Sequence, residues 1–284
     1  MAERIRNRNG NCLEPGDDGL PVQDVGIWAV DKHDYLQRYI EASSGPRGSF
    51  LRPRNDYPPA GAGFVDLFAG PGRARVRETG EYINGSPIVA LEHTRQPFTK
   101  VVAVDLDPEN VAALKSRTAK YGARAEVILG DWNTVIEDAI SRLPEYGLNL
   151  ALVDPYGLEP LRFETLQKLA CVRRMDLIIH FPIADMKRNI TNVKADEYAG
   201  FIDRFLGMHA EIKHLSDIPR LIDLLRIQLK PYGYEQEQVR SVAVCNSKKT
   251  PLYYLVYVSK HPKGSEIWKS LTRNSGKQRG FDGF

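Results

Sequence analysis

The stretch Asp66-Leu67-Phe68-Ala69-Gly70-Pro71-Gly72 constrains the fold of this chain more than any other, because a short apolar strand runs unbroken into a tight turn with two glycines. Gly63 to Ala69 reads as a buried strand. Gly70 and Gly72 permit positive φ and let a ligand approach bare backbone where a side chain would block it. A turn of this kind holds a nucleoside cofactor. Dinucleotide-binding turns require G-x-G-x-x-G, and the third glycine position here is Arg75, which weakens a nicotinamide reading. An ordinary glycine turn uses the same residues, so the rest of the chain decides between them.

Residues 1–24 are rich in Arg, Asn, Gly and Asp with few large apolar groups, which predicts a loose arm. From Ile27 to Ala42 the side chains of Trp28, Leu36, Tyr39 and Ile40 form one stripe, predicting a helix against the sheet edge. Prolines and glycines between Gly45 and Gly63 mark a connecting loop. Strands predicted at Gly63–Ala69, Val101–Asp105, Ala125–Gly130, Leu148–Asp154 and Asp176–His180 then alternate with helices at Asn110–Tyr121, Thr134–Leu143 and Phe163–Cys171. Such alternation implies a parallel sheet covered on both faces, an α/β doubly wound, Rossmann-like architecture. The first crossover carries an insertion, Arg73–Gly85, before Ser86 as N-cap and Pro87 at the first helical position. Arg73, Arg75 and Arg77 make that insertion a candidate substrate-facing loop. Two amphipathic helices, Ala195–Leu206 and Ile218–Leu229, form a helical insertion over 183–232, and Val239–Asn246 with Tyr253–Ser259 reads as a hairpin. The expected organisation is a flexible arm over 1–24, one α/β domain over 25–262, and a C-terminal helix with a basic tail over 263–284.

The 284 residues suffice for one large domain with its own core. No early stretch joins a basic start to an apolar run, and none approaches about 20 uninterrupted apolar residues, so a soluble cytoplasmic protein without a membrane partner is expected. A net charge of +3 proves nothing about nucleic acid, but beyond Cys245 eight Lys and Arg face Glu266 and Asp282. That tail could meet phosphate or merely be a solvated face. Cys12, Cys171 and Cys245 are far apart with no histidines at ligand spacing, predicting free, mainly buried thiols and no metal.

In an open α/β sheet ligands bind outside the carboxyl ends of the strands, and four of the five predicted ends are acidic: Asp66, Asp105, Asp131 and Asp154. Asp105, at the second end, suits two ribose hydroxyls, since a carboxylate accepts more than one hydrogen bond. Asp107, before Pro108, starts the next helix. Asp131 is set to accept from an adenine amino group, with Trp132 as a stacking wall and Phe68 within the same cofactor set. Each acid could equally be a turn or helix cap; together they favour a nucleoside pocket. Asp154-Pro155-Tyr156-Gly157 closes the fourth strand. There a carboxylate and a proline carbonyl can accept both N–H bonds of an aromatic amine and concentrate its lone pair, while Tyr156 stacks on the base. Asp, Pro and Gly also suit a plain β-turn. His180 reads as structural, Arg188 as a phosphate grip or a cap, and Lys248 and Lys249 as neighbours of an anionic substrate.

The D-x-F-x-G-x-G form resembles motif I of class I S-adenosylmethionine (SAM) methyltransferases. Asp154–Gly157 resembles the D-P-P-Y signature of amine methylases and, more closely, the D-P-F-G form of some tRNA guanine-N2 methyltransferases. Taken in order, Trp28, Lys32, Asp66–Gly72, Gly85-Ser86-Pro87, Asp105, Gly130-Asp131, Asp154–Gly157, Arg188-Asn189 and Ser259-Lys260-His261 resemble the three-Cys-motif partner proteins. That resemblance covers most of the chain. It implies a seven-stranded, mostly parallel methyltransferase sheet with its last strand antiparallel, SAM as cofactor, and a bacterial or phage protein encoded beside an iron–sulfur partner that carries the three cysteines. The expected function is SAM-dependent methylation of an exocyclic base amine in nucleic acid. The alternative is a weakly catalytic or non-catalytic adaptor of that partner.

Overall fold

The computed structural model describes residues 5–6, 12–55, 57–93, 95–157, 161–182, 195–209, 218–235, 239–245 and 251–273. They fall into two units, Met1–Leu152 and Val153–Phe284.

The first unit opens with strands β1 (Ile5–Arg6), β2 (Cys12–Pro15) and β3 (Pro21–Val25), then helices α1 (Trp28–Ala42) and α2 (Ser44–Gly48). Next come β4 (Ala62–Asp66), β5 (Arg73–Val76), β6 (Tyr82–Asn84), α3 (Ser86–Glu92), β7 (Lys100–Asp105), α4 (Pro108–Thr118), β8 (Ala125–Leu129), α5 (Trp132–Ser141) and β9 (Leu148–Val153). The second unit holds α6 (Phe163–Cys171), β10 (Met175–Phe181), α7 (Ala195–Leu206), α8 (Ile218–Leu229), β11 (Val239–Cys245), β12 (Pro251–Val258) and α9 (Pro262–Arg273).

Seven strands make the principal sheet, in the order β11-β12-β10-β9-β4-β7-β8. β4 pairs in parallel with β7 on one side and β9 on the other, and β7 pairs in parallel with β8. β12, the last strand among the described residues, lies between β10 and β11 and runs antiparallel to both. This is the sheet that the class I methyltransferase resemblance implies. β4 is buried along its whole length, and β7 and β9 are buried beyond their first residues, as a sheet covered on both faces demands. Gly63 keeps β4 close to β9, since a Cβ there would sit 2.3 Å from Asn149 Oδ1. Local signals set the crossover helices: the Asp107 side chain accepts from the Glu109 amide at 2.8 Å, and Pro108 opens α4 with a preset φ. The chain leaves β4 toward β7 and β8 and returns to β9, so the switch in strand order lies between β4 and β9.

The N-terminal segment departs from expectation. Rather than a loose arm, residues from Cys12 onward pair within a second sheet, ordered β1-β2-β3-β5-β6, in which β3 runs parallel to β5. The connecting loop before β4 likewise contains α2, whose Arg47 is 1% exposed and donates to Ser43 Oγ, Ile40 O and Gln96 O while lying over Phe98. Burial lowers its guanidinium pKa to about 10. Gly85, not Ser86, is the N-cap of α3, and Ser86 is its first residue. In the second unit β12 turns into α9, where Trp268 is fully buried and stacks on Tyr257 at 4.9 Å. No helix among the described residues is long and apolar enough to cross a membrane.

Candidate functional site

At the end of β4 the chain enters the glycine turn under tight control. The Leu67 amide donates to Leu152 O, the Ala69 amide to Val104 O, and the Gly70 amide to Asp105 Oδ2 at 2.8 Å. Gly70 and Gly72 have φ of 59° and 82°, the left-handed region that favours glycine. A Cβ on Gly72 would meet Leu114 Cδ1 at 2.5 Å, so α4 packs directly beneath the turn. Around Gly70 the nearest group is the Gln23 side chain, 3.1 Å from where a Cβ would stand.

The strand-end acids differ in what they have left to offer. Asp66 is wholly buried; its carboxylate accepts from the Phe68 amide at 3.0 Å and from Ser86 Oγ, tying the turn to the start of α3. It is thus a positioning residue, contrary to the direct cofactor contact expected from the sequence. Asp105 accepts from the amides of Gly70 and Asp107 and from Asn110 Nδ2. Those bonds occupy three of roughly four acceptor sites on the carboxylate, so one remains where two were expected. Burial raises its carboxyl above the ordinary carboxylate pKa, and the three donors oppose that rise.

Asn110 supplies what Asp105 lacks. It is 1% exposed, its Nδ2 is committed to Asp105, and its Oδ1 has no hydrogen-bond partner among the described residues. A buried orphan acceptor beside a carboxylate with one open site matches two neighbouring hydroxyl donors, as on a ribose. Asp131 caps α5, its Oδ1 accepting from the Asn133 amide and side chain, while Oδ2 makes no hydrogen bond among the described residues. Phe68 packs on Trp132 with ring centroids 4.2 Å apart, giving an apolar wall next to that acid. These groups fit an adenosyl moiety: two sugar acceptors, one exocyclic-amine acceptor and an aromatic surface.

The insertion arginines do not fit the substrate-facing role. Arg73 forms a bidentate pair with Asp17, Arg75 pairs with Glu14, and Arg77 donates to Asp24 O and lies 3.6 Å from its carboxylate. Acids of the N-terminal segment thus neutralise each one and stitch β5 to that segment. Arg117 of α4 extends the pattern, gripping Asp18 with two bonds of 2.8 Å and donating to Pro21 O and, within the turn, to Pro71 O at 2.6 Å. Its guanidinium lowers the Asp18 pKa to about 2.

In the second unit, Asp154 and Pro155 come directly after β9. His180, near the end of β10, brings Nδ1 to 3.3 Å from Pro155 O and 3.4 Å from Asp154 Oδ1. Tyr156 is exposed. Lys260, counted in the basic tail, is not free for phosphate: its Nζ donates to Ala170 O and Val172 O at the end of α6. Lys263, Lys269 and Arg273 of α9 are exposed. Cys171 is a free, exposed thiol, against the burial expected of it, and Cys245 is free and half-buried. Arg188, Lys248 and Lys249 lie outside the described residues.

Sequence reasoning missed Gln23, Asn110 and Arg117. Asn110 had a readable signal in an amide one turn into a helix after an acidic strand end. Gln23 and Arg117 had none, because their partners are remote in the chain.

No protein-family model matches the chain, and no curated protein matches it. Among solved structures, M. jannaschii TYW2 in complex with AdoMet is 13% identical over 91% of this chain and 86% of that one, with a TM-score of 0.44. The METTL16 methyltransferase domain is 12% identical over 82% and 68%, TM-score 0.46, and the methyltransferase domain of bacterial CtHen1 13% over 80% and 100%, TM-score 0.37. At such values the likenesses add nothing to the strand order, on which the fold assignment rests.

Proposed function

We propose that the chain is a SAM-dependent methyltransferase acting on an exocyclic amine of a nucleic-acid base. The observation that carries this reading is the buried pair at the strand switch, Asp105 with one open acceptor site and Asn110 with an orphaned Oδ1. Asp105 and Asn110 would take the ribose hydroxyls, Asp131 Oδ2 the adenine amino group, and Phe68 with Trp132 the face of the ring. Gly70 and Gly72 supply the positive φ that the turn requires. SAM, when bound, supplies a methyl group on a sulfonium. Asp154 and Pro155 O accept the two N–H bonds of the target amine and turn its lone pair outward, and Tyr156 stacks on the base. Alignment of reacting groups is worth roughly 7–11 kcal/mol of barrier, so holding the amine is the chief task of these residues. The exposed cations of α9 support a polyanionic substrate. The resemblance to three-Cys-motif partner proteins is the finer reading, with an iron–sulfur partner.

Calorimetry tests the first half: the purified protein is expected to bind SAM and S-adenosylhomocysteine, and Asn110→Ala to weaken both. A protein that ignores both ligands removes the reading. Labelled SAM supplied with separate DNA, tRNA and rRNA pools, with and without the iron–sulfur partner, then identifies the acceptor. Asp154→Ala is expected to lower transfer at least ~100-fold, since loss of alignment alone costs about that much; full transfer by that variant removes the amine-holding role.

A further inference from the structure

His180 has no place in the roles assigned so far, although it touches both atoms assigned to the amine. Its ring meets Tyr253 of β12 edge-on, with centroids 4.6 Å apart at 60°, and from there Nδ1 reaches Pro155 O at 3.3 Å and Asp154 Oδ1 at 3.4 Å. A carbonyl oxygen only accepts, so the hydrogen bond to Pro155 requires a proton on Nδ1. The Pro155 carbonyl has a second lone pair, so it can hold His180 and still receive an N–H of the target. His180 and Asp154 side chains are only 14% and 15% exposed, so water competes weakly for these contacts. Tyr253 is itself buried, which fixes the plane in which the imidazole lies.

We propose that His180 is a positioning residue for the methyl acceptor: with Nδ1–H as donor, and braced by Tyr253, it sets the orientation of the Pro155 carbonyl and the Asp154 carboxylate that together hold the amine. The inference rests on the methyltransferase reading above. It differs from a space-filling role for His180 in one respect, the donor at the Nδ1 position. Asparagine keeps that donor and loses the ring; phenylalanine keeps the ring and its contact with Tyr253 and loses the donor.

Two measurements decide the matter. Nitrogen NMR of the ring, on the wild-type protein without substrate, is expected to find the proton on Nδ1; a ring protonated on Nε2 alone overturns the inference whatever the activity. Steady-state transfer from labelled SAM is expected to show kcat for His180→Phe down by about 100-fold, with SAM affinity by calorimetry and Tm close to wild type. His180→Asn is expected to retain activity within about tenfold of wild type. Full activity in His180→Phe, or His180→Asn as impaired as His180→Phe, overturns the inference. If His180→Phe does not fold, the ring spectrum and the Asn variant carry the decision. A wild-type protein that transfers no methyl group sinks the underlying reading and this inference with it, an outcome distinct from an active wild type matched by an active His180→Phe.

Discussion

Gly72 and Gly233 both adopt positive φ, at 82° and 88°, yet they differ in what surrounds them. A Cβ on Gly233 would meet nothing within 4 Å, whereas one on Gly72 would strike Leu114 at 2.5 Å and press on Ile88 at 3.2 Å. Gly233 is in the left-handed helical well, where backbone strain alone costs Gly233→Ala about 1 kcal/mol. Gly72→Ala adds overpacking of roughly 1–3 kcal/mol in the cluster formed by Ala69, Ile88, Ala103 and Leu114. Urea denaturation of the two variants is therefore expected to separate them by at least about 1 kcal/mol, and equal stability would mean that α4 does not bear on the turn. The acids at and just beyond the strand ends make a related point about what side chains reveal. Asp107 and Asp131 cap helices, Asp66 pins a turn and Asp105 holds the Gly70 amide, each by hydrogen bonds that a carboxylate makes in many proteins. Residue type and spacing located all four, but only the count of occupied acceptor sites separates those with capacity left from those without.

The principal strands were legible because a strand buried on both faces must be almost wholly apolar, as Lys100–Asp105 and Leu148–Val153 are after their first residues. Strand β3 was not legible. Only Val22 of Pro21–Val25 is fully buried, and its pairing partner β5 lies far along the chain in the arginine-bearing insertion. Four ion pairs accompany the strand pairing of that segment: Asp17, Asp18, Glu14 and Asp24 with Arg73, Arg117, Arg75 and Arg77. Composition could flag the opposite charges but not which acid meets which base. The pairing has a pH signature. The Asp18 pKa is lowered from 3.8 to about 2, so its contribution to stability is complete above about pH 4 and is lost as pH falls from there toward 2. Asp18 is 37% exposed, which keeps the effect small. Denaturation of wild type and Asp18→Asn at matched pH should show the two curves converging across that window; a constant gap down to pH 2 would mean Asp18 pairs no better folded than unfolded.

For the molecule as a whole, a net charge of +3 is a weak attractor of polyanions, so any grip on nucleic acid has to come from local clusters. Lys269 and Arg273 stand one helical turn apart and exposed on α9, a helix anchored by the buried Trp268. Replacing both with Glu is expected to weaken binding to DNA and RNA alike and to flatten the dependence of affinity on salt by about one phosphate contact per cation removed. An unchanged slope would assign the contact elsewhere. The position of β4 has a bearing of a different kind, on how the polypeptide reaches this state at all. As a ribosome emits the chain, β4 appears early but both its neighbours, β7 and β9, come later, and β9 only once Leu148–Val153 has been made. At roughly 5–20 residues per second its apolar backbone edges wait for several seconds, so nascent-chain chaperones have their clearest reason to attend during that interval.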